Sequence, residues 1–95
     1  MDVTPKPVKV GDLFKLYKLG TENETRFYEV VKATGEGFKQ SVMIREVGRI
    51  ADVKRNGDLK NVVPIRGDYL GPAFRRKVHL FGIEVAKNEW ATHIG

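Results

Sequence analysis

The chain is expected to be all-β, a small, strongly bent antiparallel sheet or SH3-like barrel of five to six strands. Three observations lead there. Two β-prone runs, 41–47 and 61–66, flank Lys54, Arg55, Asn56, Gly57 and Asp58, and Asn-Gly between such runs is the strongest short hairpin signal. Other short runs of aromatic and β-branched residues recur between clusters of turn-forming residues. No stretch holds a 3.6-residue apolar period, and internal repeats are absent. A closed barrel is preferred over an open β-sandwich because closure removes exposed strand edges.

Taken in order, residues 1–9 form an extended arm, since Pro5 and Pro7 disfavour helix. Residues 13–19 form the first strand, with Phe14 and Leu16 on one face and Lys15 on the other. After a polar loop carrying Glu22 and Glu24, residues 26–33 form the second, built on Phe27, Tyr28, Val30 and Val31. Gly35 and Gly37 supply the next turn. The central hairpin alternates Val42 and Ile44 against Met43 and Arg45, and Gly48 is read as a bulge or bend. Pro64 has no N–H to donate, so the return limb is an edge or leaves the ladder there. Residues 67–72 are irregular. Residues 74–85 are read as a second hairpin turning near Phe81 and Gly82. Asn88 is read as the cap of one short helical turn near the C-terminus, spanning 89–92. Trp90 is expected to plug the end of the barrel.

With 95 residues the chain is one domain, 1–95, near the lower size limit for a self-sufficient core. No apolar run approaches the roughly 18 residues of a membrane span, and the first residues lack the apolar region of a signal peptide. Together with the absence of cysteine, this makes a cytoplasmic location the expectation. The net charge of +5 is uneven: 8 basic against 7 acidic residues in 1–48, and 9 against 5 in 49–95. Such an excess attracts nucleic acid or an acidic protein surface, although it also simply keeps a small protein in solution.

The chain offers little for catalysis. Ser41 is its one serine, and His79 and His93 stand apart with no carboxylate at a telling spacing, so no enzymatic activity is expected. The same scarcity argues against a metal site, and no cofactor is implied. His79 is read as a half-buried strand residue and His93 as part of the tail. Arg66-Gly67-Asp68 matches an integrin-binding tripeptide and is treated as chance. The sharpest feature is basic. Arg75, Arg76 and Lys77 cluster on one strand, and Arg45, Arg49, Lys54, Arg55, Lys60 and Arg66 follow the central hairpin. Together they suggest a stripe for phosphates, with Tyr28, Tyr69 or Phe81 as a stacking face. The competing explanation is that strand cations protect edges and solvate the outer face.

Several pieces in series resemble a family of small proteins encoded by bacteriophages and other bacterial mobile elements. They are the starts at Gly11-Asp12 and Arg26-Phe27-Tyr28, the strand Ser41-Val42-Met43-Ile44-Arg45-Glu46, then Val62-Val63-Pro64, Arg75-Arg76 and Trp90-Ala91. Glu29 departs from the family's Gln, and Thr92, His93, Ile94 and Gly95 replace its aromatic-Asp-Gly ending. The resemblance implies an accessory protein of a bacterial host cell and carries no mechanism. Two functions follow as expectations. One is a non-enzymatic module whose basic face contacts a nucleic-acid backbone. The other is an inhibitor that binds a host protein, such as a defence protein, through an exposed aromatic patch of Tyr28, Tyr69 and Trp90. The oligomeric state is left open, with self-association through the Pro64 edge as one possibility.

Overall fold

Alternating apolar and polar residues carry the chain into one antiparallel sheet. The computed structural model describes residues 5–16, 25–53, 59–80 and 82–95, with backbone alone for 51–53 and 59–62. The strands are β1 Leu13–Leu16, β2 Arg26–Thr34, β3 Ser41–Val53, β4 Leu59–Tyr69, β5 Phe74–Lys77, β6 Ile83–Ala86 and β7 Glu89–His93. Their order is β4-β3-β2-β1-β7-β6, and β5 also pairs with β3. The fold is therefore all-β as expected, with seven strands instead of five to six.

The long strand β3 organises the rest. One edge pairs with β2 from Val47↔Phe27 to Ser41↔Thr34. The other edge takes β4 at Val47↔Tyr69 and beyond, then β5 from Ile44↔Phe74 to Ser41↔Lys77. Thus β4 and β5 are two lengths of a single return limb, interrupted at 70–73 where Gly71 and Pro72 break the ladder. The hairpin read from the sequence is present in its limbs, while its tip, 54–58, lies outside the described residues.

The expected break near Pro64 also has a definite form. Pro64 pairs with Arg49, but the next pair is Val47↔Tyr69, two steps on β3 against five on β4. The surplus on β4 is a bulge over 65–68, in which Gly67 takes φ 81°, a conformation costly for other residues. Gly48, read from the sequence as a bulge or bend, lies across from it, at the register shift between Val47 and Arg49. Gly48 is buried, and a Cβ there would meet the carboxylate of the exposed Asp68 side chain, which would have to shift.

The sheet's two faces bury different clusters. Phe14, Leu16, Tyr28, Val30, Val42, Ile44, Ile83 and Ala91 belong to the main core, while Leu13, Phe27 and Val47 form a small cluster on the opposite face. Leu13 and Phe14 are both buried because β1 is covered on both sides. The N-terminal arm is held by Gln40, itself 5% exposed. Its Oε1 accepts from the Val8 N–H at 2.9 Å, and its Nε2 donates to the carbonyls of Lys6 and Gly37 at 3.1 Å. Val8 is thereby seated in the main core.

Three local expectations are corrected. Residues 74–85 do not form a ladder: between β5 and β6 there is one isolated bridge, His79↔Gly82, while β5 pairs with β3 and β6 with β7. Instead Arg76 Nη2 donates to the Val85 carbonyl at 3.1 Å across the gap, so the sheet curls toward closure without completing it. Residues 89–92 lie in strand β7, and Asn88, at φ 62°, turns the chain between β6 and β7. The short helical turn is a 3₁₀ turn at Gly37–Lys39. Trp90 does not plug the core, being 41% exposed. No helix among the described residues is long and apolar enough to cross a membrane.

Gly82 has φ 123°, and a Cβ there would collide with the Ala91 carbonyl. We expect Gly82→Ala to lower stability by about 2 kcal/mol or more, measured by urea unfolding, because both backbone strain and a backbone clash oppose it.

Candidate nucleic-acid interface

Directly paired strand residues project from the same face, as do residues two apart. Two rows follow on the outer face of β2, β3 and β5: Lys32, Met43, Arg75, and Thr34, Ser41, Lys77. Lys32, Arg75 and Lys77 are exposed, and neither row contains a carboxylate. With strands about 4.8 Å apart and about 3.3 Å rise per residue, these three cations stand roughly 7–12 Å from one another. The bulge at Val31 brings Lys32 to this face, because the register shifts between Val30 and Lys32. Lys32 was not among the residues expected from sequence, since a cation separated by more than forty residues from Arg75 is linked to it only by register.

The remaining basic residues divide by environment. Arg76 faces the β5–β6 gap, with its guanidinium 4.6 Å from the Phe74 ring and bonded to Val85. Arg45 lies 4.1 Å over the Tyr69 ring, and its Nε donates to the Gly71 carbonyl at 2.8 Å. Arg66 donates to the carbonyls of Gly11 and Gly95, both at 3.2 Å. These three hold the structure together, and the expected continuous stripe is not formed by them. Arg49 is exposed at the root of the projecting part of the hairpin. Lys60 is described in its backbone alone, and Lys54 and Arg55 lie outside the described residues.

A buried carboxylate anchors this arrangement. Glu29, 8% exposed, accepts from the Gly67 N–H at 2.9 Å and from the Tyr69 hydroxyl at 3.0 Å. The Arg66-Gly67-Asp68 tripeptide therefore belongs to the β4 bulge, where Arg66 bonds to the backbone at Gly11 and Gly95 and Gly67 to Glu29 of β2. Among the described residues, no buried side-chain polar atom lacks a partner.

The aromatic patch expected from sequence does not assemble. Tyr28 is 5% exposed and packs edge-on to Phe74 at 5.9 Å. Tyr69 is engaged by Glu29 and Arg45, and β4 is separated from the β7 strand of Trp90 by three strands in the sheet order. The side chain of Phe81 lies outside the described residues.

The histidines depart from expectation too. His79 is exposed and meets Trp90 edge-on at 5.2 Å. His93 stacks on Phe14 at 5.1 Å, and its Nε2 lies 3.0 Å from Asp12 Oδ2. Both line one groove of about 900 Å³, together with Lys6, Val78, Leu80 and Ile94. Fourteen residues apart in the chain, they converge because β7 pairs with β1 while the β5–β6 turn folds over its end. No group of three or more His, Asp or Glu positioned to hold a metal ion occurs among the described residues.

The tyrosines provide a pH test. Hydrogen bonding to the Glu29 carboxylate raises the Tyr69 pKa, while burial, followed by the Glu46 charge, raises that of Tyr28. Raised folded-state values contribute stability that is complete below the unfolded phenol value of about 10 and is lost as pH climbs through the folded values. We expect Glu29→Gln to bring the Tyr69 ionisation down toward that value and leave Tyr28 high, as followed by phenolate absorbance during alkaline titration. Comparison with protein-family models, curated proteins and solved structures finds no match for this chain.

Proposed function

We propose that this chain is a non-enzymatic accessory binding module whose β2–β3–β5 face contacts the phosphate backbone of nucleic acid. The observation that carries the reading is the pair of carboxylate-free rows in which Lys32 on β2 and Arg75 and Lys77 on β5 stand exposed on either side of β3. Neighbouring cations with no competing anion gain most from replacing the counterions of a polyphosphate. Among the described residues no base-reading element accompanies them, so binding follows backbone and shape more than sequence. The resemblance noted above fits a role in a phage or other mobile element, acting in the bacterial cytoplasm.

A second reading has its own support. Beyond Val47 the limbs of β3 and β4 pair only with each other among the described residues. There Ile50 and Val63 face each other across the strands and are 55% and 44% exposed. A two-stranded projection carrying an exposed apolar pair suits insertion into a host protein, as an inhibitor would require. Pull-down from nuclease-treated bacterial lysate separates the readings. A stoichiometric protein captured by the wild type and lost in Ile50→Asp supports the inhibitor.

For the favoured reading, we expect measurable binding to labelled DNA or RNA at low salt by fluorescence anisotropy. Lys32→Ala, Arg75→Ala and Lys77→Ala should each flatten the log–log salt dependence by about 0.7–0.9, whatever the sequence of the oligomer. Absence of wild-type binding at low salt rejects it.

A further inference from the structure

The N-terminal arm covers part of the main core and is held there by very little. Pro5 and Pro7 have no N–H to donate, and residues 5–8 join no strand ladder. Among the described residues, each hydrogen bond that this stretch makes runs to one side chain, the amide of Gln40. Its Oε1 accepts from the Val8 N–H at 2.9 Å, and its Nε2 donates to the carbonyls of Pro5 at 3.4 Å and Lys6 at 3.1 Å. Gln40 is itself fixed from behind, since its carbonyl accepts from the Val78 N–H at 3.0 Å and its Nε2 reaches the Gly37 carbonyl at 3.1 Å. The chain is pinned again directly after the arm. Lys9 and Asp12 close a turn with bonds of 2.9 and 3.0 Å, and the Gly11 N–H donates to the Val30 carbonyl at 2.8 Å. Open space lies on both sides of the arm: Val8 lines the groove of about 900 Å³ and also a smaller one of about 330 Å³.

We propose that residues 5–8 are a strap that Gln40 latches over the core and that lifts as a unit while the sheet stays folded. The inference is independent of the nucleic-acid reading. Local opening begins where few buried side chains and few backbone bonds hold a segment. Here two buried side chains, Pro5 and Val8, and one amide do the holding, whereas β1, β2 and β3 are joined by ladders. The root of the strap is the Lys9–Asp12 turn, which stays tied to β2 through Gly11. Lifting joins the two grooves into one trough that includes the buried residues Phe14 and Val78. It also leaves the Gln40 amide without its partners from the arm. A buried amide short of partners is unfavourable, so the latch draws the strap back and the open form stays a minority.

The chain has no cysteine, so a single introduced thiol reports on its own position. Val8 and Val30 are both buried, one in the strap and one in the sheet. We expect the thiol of Val8→Cys to be labelled at least about tenfold faster than that of Val30→Cys. Below the unfolding transition, the Val8→Cys rate should stay flat as urea is added, because lifting a few residues exposes little surface. The Val30→Cys rate should climb with the global slope. Adding Gln40→Ala should raise the Val8→Cys rate about tenfold and keep it flat in urea. If Val8→Cys does not fold, amide exchange of the unsubstituted protein makes the same comparison. It sets the Val8 N–H, bonded to Gln40, against the Val30 N–H, bonded to the Asp12 carbonyl at 2.8 Å. Equal rates with equal urea slopes at the two positions, by either measurement, overturn the strap. A Val8→Cys rate unmoved by Gln40→Ala removes the latch and overturns the proposal as well.

Discussion

A long strand has two edges of backbone donors and acceptors, and both require partners wherever water is excluded. In β3 this requirement governs the rest of the protein. One edge is satisfied by β2 and the other by the 59–77 limb, which must stay in pairing distance although Pro64, Gly67, Gly71 and Pro72 repeatedly interrupt it. The interruptions are secured from the side. Glu29 holds the β4 bulge through Gly67 and Tyr69, Arg45 holds the break through Gly71, and Arg66 ties the bulge to Gly11. A buried carboxylate with two donors is far cheaper than one left alone, and its two bonds fix the register of an edge strand that would otherwise slip.

The same requirement divides the basic residues into two groups. A guanidinium has several donors in a rigid fork and is weakly hydrated, so it serves well where irregular backbone leaves carbonyls to be bonded. Arg45, Arg66 and Arg76 each take carbonyl oxygens in this way. Lys32 and Lys77 keep their compact charges in water, and Arg75 joins them because alternation turns it outward between two inward neighbours. Basic residues in excess therefore do not amount to one basic surface. What remains available for a partner is a smaller group on two strands, Lys32 on β2 and Arg75 and Lys77 on β5.

Much of the local structure was legible because it depends on neighbours in the chain. The β-prone limbs around Asn56-Gly57, the alternation of Val42 and Ile44 against Met43 and Arg45, and the disruption near Pro64 all appear where their residues predict. In 74–85 the apparent hairpin symmetry did not show that β5 would pair with β3 and β6 with β7, with one bridge between them. Trp90 and Tyr28 exchanged their expected roles, one outside and one inside. An aromatic side chain suits either setting, and only the packing on its strand decides. The outward placing of Lys32 was missed for a related reason, since it stands in no local motif.

By itself, then, the sequence determined the all-β class, the central hairpin limbs, the extended arm and the surplus of positive charge. These follow from chain stiffness, period-two alternation and composition, which act over a few residues. Only the tertiary structure decided that β4 and β5 are one interrupted limb, that three arginines are spent on backbone carbonyls, and that Lys32 stands beside Arg75. It also brought His79 and His93 to one groove. Each of these depends on register between strands distant in the chain, and register is set by bulges and buried contacts that no short window of sequence contains.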